Sequence, residues 1–184
     1  MKTILLILLT FVNLTGFGQI LTADTIFGNG GQTLSPVLSG AAGGSCTNVF
    51  KLSDNSILLC GYYYDINSNA VFNLMLKTDA CGNIDSSFGS NGFVKHTFDQ
   101  RNSGYDYALQ ADGKIVVCGS QADGNAGSQQ FPFVARYLAN GIPDTTFGVM
   151  GTNKINYLGP NDFTSVYILP NGKLLCTNGT FMMR

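Results

Sequence analysis

Tryptophan is absent from the 184 residues, histidine occurs once, and only 11% of the chain is charged. An average soluble protein carries about 25% charged residues. The shortage excludes whole classes of partner. Net charge is −1 and there is no basic run, so the electrostatic footprint of a nucleic-acid binder is missing. No acidic tail takes its place. His96 is the single histidine, and nothing in its strand, 93–98, suggests an activated nucleophile, which argues against a Ser–His–Asp or His–Cys system. Zinc spacing, a phosphate loop and a paired-carboxylate pattern are missing as well. No catalytic residue, metal ligand or cofactor is therefore expected.

Long apolar runs are also lacking, with one exception near the start. Lys2 precedes an apolar run, 4–12, broken only by Thr10, and the small residues Gly16 and Gly18 stand before Gln19. This pattern reads as a secretory signal peptide, 1–18, cleaved between Gly18 and Gln19. The run is about half the roughly 20 apolar residues that a spanning helix needs, so no transmembrane segment is expected after cleavage. The expected location is secreted or cell-surface. Five cysteines in an exported chain cannot all pair internally. Cys60 and Cys118 hold the same place in successive apolar strands and read as buried small hydrophobes, with a disulfide as the alternative. Cys46 precedes a strand and Cys81 sits in a turn, places where either could be exposed. Cys176 is offset by one position, which turns its side chain to the other face of its strand.

What the chain does have is a period. Asp85-Ser86-Ser87-Phe88-Gly89 returns as Asp144-Thr145-Thr146-Phe147-Gly148, and an orphan copy, Asp24-Thr25-Ile26-Phe27-Gly28, precedes both. A second landmark keeps step with the first: Leu52-Ser53-Asp54-Asn55, Gln110-Ala111-Asp112-Gly113 and Leu169-Pro170-Asn171-Gly172. A fixed period of this length with two internal landmarks marks a repeat protein. Asp112-Gly113 and Asn171-Gly172 lie between apolar runs and predict two-residue type I′ hairpin turns. The first repeat, 46–98, predicts strands at about 48–52, 57–64, 71–78 and 92–98. The second, 103–157, predicts strands at about 105–110, 114–119, 131–138 and 152–157. No stretch sustains a period of 3.6, so almost no helix is expected.

Four antiparallel strands per unit, apolar on both faces and repeated, predict an all-β, β-propeller-like array of four-stranded blades over 19–184. A sandwich is the competing architecture, and the near-constant period favours the propeller. Half repeats flank the two whole ones: a tail at 24–40 and a head at 163–184. About three blades are then present, fewer than the four to eight of most rings. The expectation is a piece of a larger ring, with self-association or further blades closing it. Segment 32–40 is the candidate for a strand donated to the last blade.

These segments resemble the delta-60 repeat family of exported bacterial proteins. The resemblance rests on Leu109-Gln110-Ala111-Asp112-Gly113-Lys114-Ile115-Val116-Val117-Cys118-Gly119, on Phe133-Val134-Ala135-Arg136-Tyr137, and on Asn140-Gly141 followed by Asp144-Thr145-Thr146-Phe147-Gly148. Ala111 stands where Pro is usual, and Lys77 and Cys81 depart from Arg and Asn in the first repeat. The resemblance implies export and a propeller-like architecture. It implies no activity.

The recurring carboxylates Asp24, Asp85 and Asp144 read as turn caps rather than a catalytic or metal site, since a catalytic site is needed once. Phe27, Phe88 and Phe147 then plug the space between blades, and Gly28, Gly89 and Gly148 release the chain. Three pairs of cations recur: Lys77 with Arg136, Lys95 with Lys154, and Lys114 with Lys173. They read as solvated strand ends, or alternatively as the lining of a channel. Asp65-Ile66-Asn67-Ser68-Asn69 has the oxygen spacing that opens a calcium loop but lacks its glycine and its glutamate. Tyr62, Tyr63 and Tyr64, closing a strand beside Asp65, are the ligand-binding candidates, set against plain packing between blades. The functional expectation is an exported non-enzymatic scaffold for binding or surface display. An extracellular ligand or protein would contact loops 64–70 and 121–130. The alternative is a propeller-based polysaccharide hydrolase or lyase with its catalytic residues outside this stretch.

Overall fold

A computed structural model describes residues 25–30, 32, 41–96, 101–122, 129–156, 162–179 and 182–183. The leader, its cleavage point, Asp24 and most of the candidate donated strand, 33–40, lie outside these residues, as does most of the loop 121–130. Gln32 forms an isolated parallel bridge with Gly28.

The described residues form strands and turns without helix. Ala41–Lys51 (β1), Ile57–Asp65 (β2), Ala70–Thr78 (β3) and Phe93–His96 (β4) make one antiparallel meander. Arg101–Leu109 (β5), Ile115–Ala122 (β6), Gln130–Tyr137 (β7) and Thr152–Lys154 (β8) make the next. Ser165–Ile168 (β9), Leu174–Thr177 (β10) and Met182–Met183 (β11) make a third, three-stranded sheet. The expected four-stranded blade is therefore formed twice. Every residue of β6 is buried, because the middle sheet has a neighbour on each side.

Two first strands run longer than their sequence suggests. β1 starts at Ala41 and β5 at Arg101, and both follow their partners to the far end, with Ala41 opposite Asp65 and Arg101 opposite Ala122. Bulges between Cys46 and Asn48 and between Gly104 and Asp106 interrupt the register. Glycine carries no side-chain pattern and has little preference for strands, so the Gly43-Gly44 stretch gave no strand signal. At the other end, β8 stops at Lys154, although the Ile155 amide still donates to the Pro132 carbonyl at 2.9 Å.

The hairpin turns correct the expected type. The Gly113 amide donates to the Gln110 carbonyl at 2.9 Å, and the Gln110 amide donates to the Lys114 carbonyl at 2.8 Å. Three residues, not two, lie inside the loop, and of Asp112 and Gly113 only Gly113 has a positive φ, 82°. This is the three-residue hairpin ending in one left-handed residue. Asn55, Gly141 and Gly172 hold that left-handed place in equivalent turns, with φ of 65°, 83° and 76°. Asp54, Asp112, Asn140 and Asn171 each accept the amide two residues on with a side-chain oxygen.

Sheets stack through two apolar layers. Leu58, Cys60, Met75, Phe88 and Val94 of the first repeat meet Tyr107, Ile115, Val117, Phe133 and Tyr137 of the second. Val116, Cys118 and Val134 of the second meet Phe163, Val166 and Cys176 of the third. Polar bonds cross the first layer as well. The Tyr107 hydroxyl donates to the Gly61 carbonyl at 2.7 Å, and the Gly104 amide donates to Asn73 Oδ1 at 2.6 Å. Cys60 and Cys118 are buried as expected, Cys176 is buried as well, and Cys46 and Cys81 are exposed. Cys60 faces the first layer and Cys118 the second, so that alternative pairing has no geometry. Because Cys176 is turned the other way, it faces back into the layer that holds Cys118. Burial pushes all three buried thiols up, Cys176 to about 11.

Candidate functional site

The recurring Asp segment is a turn that commits both carboxylate oxygens. Asp85 Oδ1 accepts the Ser87 amide at 3.1 Å and the Ser87 hydroxyl, while Oδ2 lies 3.0 Å from Lys77 Nζ. Asp144 repeats this with the Thr146 amide at 3.1 Å, the Thr146 hydroxyl at 2.6 Å and Arg136 Nε at 2.9 Å. The next residues fold over: the Phe88 amide donates to the Asp85 carbonyl, and the Gly92 amide to the Phe88 carbonyl. Phe88 is thereby driven into the first apolar layer, where it is 2% exposed. Phe147 takes the corresponding place in the second layer, half-buried beneath the Arg136 guanidinium at 4.6 Å. The glycine that follows pins the segment to the next repeat. The Gly89 amide donates to the Asn140 carbonyl at 2.8 Å, and the Gly28 amide to the Cys81 carbonyl at 2.6 Å.

Lys77 and Arg136 are therefore neither solvated strand ends nor free to line a channel. Their side chains are only 17% and 22% exposed, and each is paired with the Asp eight residues further on. Lys95 and Lys154 lie over Phe72 and Phe131 at 4.2 and 4.0 Å, and Lys114 pairs with Asp112.

The same contacts set a pH dependence. The Ser87 hydroxyl, then Lys77, holds Asp85 below the usual carboxylate range. The Thr146 hydroxyl does so for Asp144, with the Thr146 amide and Arg136 adding to it against the effect of burial. A depressed folded-state pKa contributes stability that is present above the unfolded value, about 3.9 for Asp, and is lost as pH falls through the folded value. The melting temperature is expected to drop between pH 5 and pH 2. In the double variant Asp85→Asn, Asp144→Asn it starts lower at neutral pH and changes less across that window. A thermal-melt series over pH checks this, and an unchanged acid slope would remove these two carboxylates from the account.

The candidate tyrosines separate by strand alternation. Tyr63 is buried and stacked on Phe72, with ring centroids 5.3 Å apart. Lys95 lies over this pair, its ammonium held above its usual value by the Tyr63 hydroxyl and the Asp65 carboxylate. Tyr62 is half-buried on the other face. Tyr64 stands at the strand end, 36% exposed, its hydroxyl donating to Asn69 Oδ1 at 2.7 Å. Asp65 is buried rather than open to a ligand. Burial works to raise its pKa, but the Ser68 and Asn67 amides and Lys95 outweigh that and hold it below the ordinary range. Those contacts occupy both oxygens of Asp65, which opens the calcium-loop pattern. Among the described residues no group of three or more His, Cys, Asp or Glu is placed to hold a metal.

Two clefts open between sheets at the hairpin end. One, of about 520 Å³, is lined by Asp54, Lys77, Phe88, Gln110, Asp112 and Gly113. The other, of about 440 Å³, is lined by Gln110, Arg136, Phe147, Gly172, Lys173 and Leu174. Lys77 and Arg136, Phe88 and Phe147, and Gly113 and Gly172 occupy matching places, so the clefts are a product of the repeat. Residues 110–147 match the sequence profile of a β-propeller domain of unknown function, DUF5122. The match runs from the β5–β6 turn to the second Phe plug, which is one turn-to-plug unit of the array.

The chain is a β-propeller repeat protein. No curated protein matches it. Within the propeller, one polar residue escaped the sequence reading. Asp106 Oδ1 accepts the Asn48 side-chain amide at 2.9 Å and its neighbour's own Tyr107 amide at 2.9 Å, while Oδ2 accepts the Val166 amide at 2.9 Å. One carboxylate thus ties three successive sheets. Its repeat equivalents are Asn48 and Ser165, so no shared motif marked it.

Proposed function

We propose that this propeller is an exported scaffold of the delta-60 repeat kind, secreted or held at the cell surface, that binds an extracellular ligand or protein without chemistry. The observation behind this reading is the contrast between repeating and non-repeating polar groups. Asp85 and Asp144 spend their oxygens on turns and cations. Tyr64 does not repeat: the register that matches Cys60 with Cys118 puts the buried Ala122 in its place. Its hydroxyl is held by Asn69, and the turn that follows carries Ile66, which is 62% exposed. A fixed, partly exposed aromatic suits stacking on a sugar ring or a peptide side chain. Tyr62, Tyr63 and Asp65 then act from behind, by holding the strand end in place.

The test is retention on insoluble chitin, cellulose and peptidoglycan, with reducing ends measured in parallel. The expected result is retention on one of them without new reducing ends. Tyr64→Ala should weaken it about fivefold to tenfold, the scale of one aromatic contact. New reducing ends would instead favour the polysaccharide hydrolase or lyase. Undiminished retention by Tyr64→Ala would move the binding surface elsewhere.

A further inference from the structure

One turn of the array breaks a rule that its copies keep. After each plugging Phe the chain makes the same tight bend. The Ser90 amide donates to the Phe93 carbonyl and the Gly92 amide to the Phe88 carbonyl, as Val149 does to Thr152 and Gly151 to Phe147. The second residue after the plug's glycine has a positive φ each time: 63° at Gly30, 56° at Asn91 and 53° at Met150. Gly and Asn tolerate this conformation, whereas a residue with a long apolar side chain is strained in it. Strain that the other two copies avoid calls for a reason outside the fold.

Met150 belongs to a set. Val149 and Met150 stand where the first repeat has Ser90 and Asn91, and Leu138 and Ile142, paired across the adjoining turn, stand where it has Asp79 and Asn83. Four polar residues of one repeat are thus apolar in the next, and all four are exposed: Leu138 by 37%, Ile142 by 53%, Met150 by 72% and Val149 by 81%. The exchange also gives up a cap, because Asp79 accepts the Cys81 and Asn83 amides and the Asn83 side chain, which Leu138 cannot do. Gly151 packs so closely on Pro143 that an added Cβ would lie 3.1 Å from the ring, so the two turns sit side by side.

Stacking of sheets does not cover these places. Asp79, Asn83, Ser90 and Asn91 are exposed even though the second sheet is packed on the first and the Gly28 amide is bonded to the Asp79–Asn83 turn. A further blade laid on the second repeat in the same way would leave its four apolar counterparts in water. Shape and charge then narrow what they meet. They stand on turns, and neither hairpin cleft is lined by any of them, so a ligand that fills a pocket finds none here. Between 137 and 151 the one charged residue is Asp144, which is buried and paired with Arg136. Uncharged apolar tips on a rigid sheet suit the interfacial zone of a lipid bilayer, where attraction scales with the apolar area buried and requires no anionic headgroup.

We propose that turns 138–142 and 148–151 form a lipid-contacting edge that rests the propeller on a membrane surface, with Val149 and Met150 as the inserting tips. The strain at Met150 is what the fold gives up for an apolar tip at that position. The contact is separate from the Tyr64 surface and does not depend on it.

Co-sedimentation with phosphatidylcholine vesicles tests this. The parent is expected to pellet with the vesicles, and neither raised salt nor added phosphatidylglycerol should strengthen the association. The double variant Val149→Ser, Met150→Asn gives the second repeat the residues of the first. It should lower the partition about tenfold or more, while relief of the strained backbone raises the melting temperature by about 2–4 °C. Weaker binding by a more stable protein cannot be put down to misfolding. Tyr64→Ala should pellet as the parent does. A parent that stays in the supernatant overturns the proposal, even if the double variant then loses retention on chitin or peptidoglycan, since the occupant would be a glycan. So does a double variant that pellets as fully as the parent, or association that appears only with phosphatidylglycerol.

Discussion

Phe88→Ala is expected to destabilise the protein by about 3–5 kcal/mol, the range for removing a large aromatic from a packed core. Phe88 lies outside the strands, in a turn between β3 and β4, yet it is 2% exposed within the layer formed with Tyr107, Ile115 and Phe133. Its backbone is fixed by the bond to the Asp85 carbonyl and by Gly92, so the neighbourhood has little freedom to collapse into the space left behind. Gly141, whose Cα lies against the Phe88 ring, shows how tight the fit is: a Cβ there would sit 3.0 Å from the ring. Phe147→Ala serves as the internal control. That ring is only half-buried and partly covered by Arg136, so its loss should cost clearly less. Urea unfolding of both variants measures the difference. Equal costs would mean that the two plugs do not differ in packing as their burial indicates.

The second large effect separates two glycines that share a left-handed backbone. Gly89 has φ of 57° and Gly172 has φ of 76°. Conformation alone makes alanine at either place cost roughly 1–2 kcal/mol. Gly172 has nothing within 4 Å of an added Cβ, so Gly172→Ala should cost only that, and Asn should cost less, since Asn55 already holds this place in the first repeat. At Gly89 a Cβ would clash with the Phe93 carbonyl and lie 2.8 Å from the Val94 side chain. β4 would have to move, taking with it the Ser90–Phe93 pair and the Gly89–Asn140 bond to the next repeat. Gly89→Ala should therefore cost at least about 2 kcal/mol more than Gly172→Ala, in the range of overpacked cores. Thermal melts of the two variants decide it, and similar losses would show that β4 yields without cost.

The period, the antiparallel order, the two apolar faces and the plugging Phe residues were legible because each follows from local spacing. A hairpin announces its strands, and side-chain parity announces faces, which is how the turned Cys176 was read correctly. The turn type was not legible, because Asp112-Gly113 is compatible with a loop of two residues or of three, and only the pairing of Gln110 with Lys114 decides. Nor were the partners of Lys77 and Arg136. Each cation meets an Asp eight residues away because a turn brings the chain back, and spacing along a strand does not encode that return. The glycine-rich start of β1 stayed hidden for another reason. Its strand conformation is imposed by pairing with β2, where Gly44 approaches so closely that a Cβ would lie 2.7 Å from the Tyr62 carbonyl oxygen. Of the candidate ligand residues, Tyr64 is the most exposed and Tyr62 is half-buried. Burial of Tyr63 and Asp65 depends on Phe72 and Lys95, neither of which adjoins them in sequence.

Arrays of stacked units are usually treated as beads in a line, each unit coupled only to its neighbours, so that the end unit peels away first and the rest notice little. Asp106 departs from that scheme. Its carboxylate is bonded at once to Asn48 in the first sheet and to the Val166 amide in the third. Peeling off the third sheet would strip a donor from a carboxylate that the first sheet also depends on. Fraying at one end of the array therefore weakens the hold on the other, and a stack that could melt in stages has a reason to melt together.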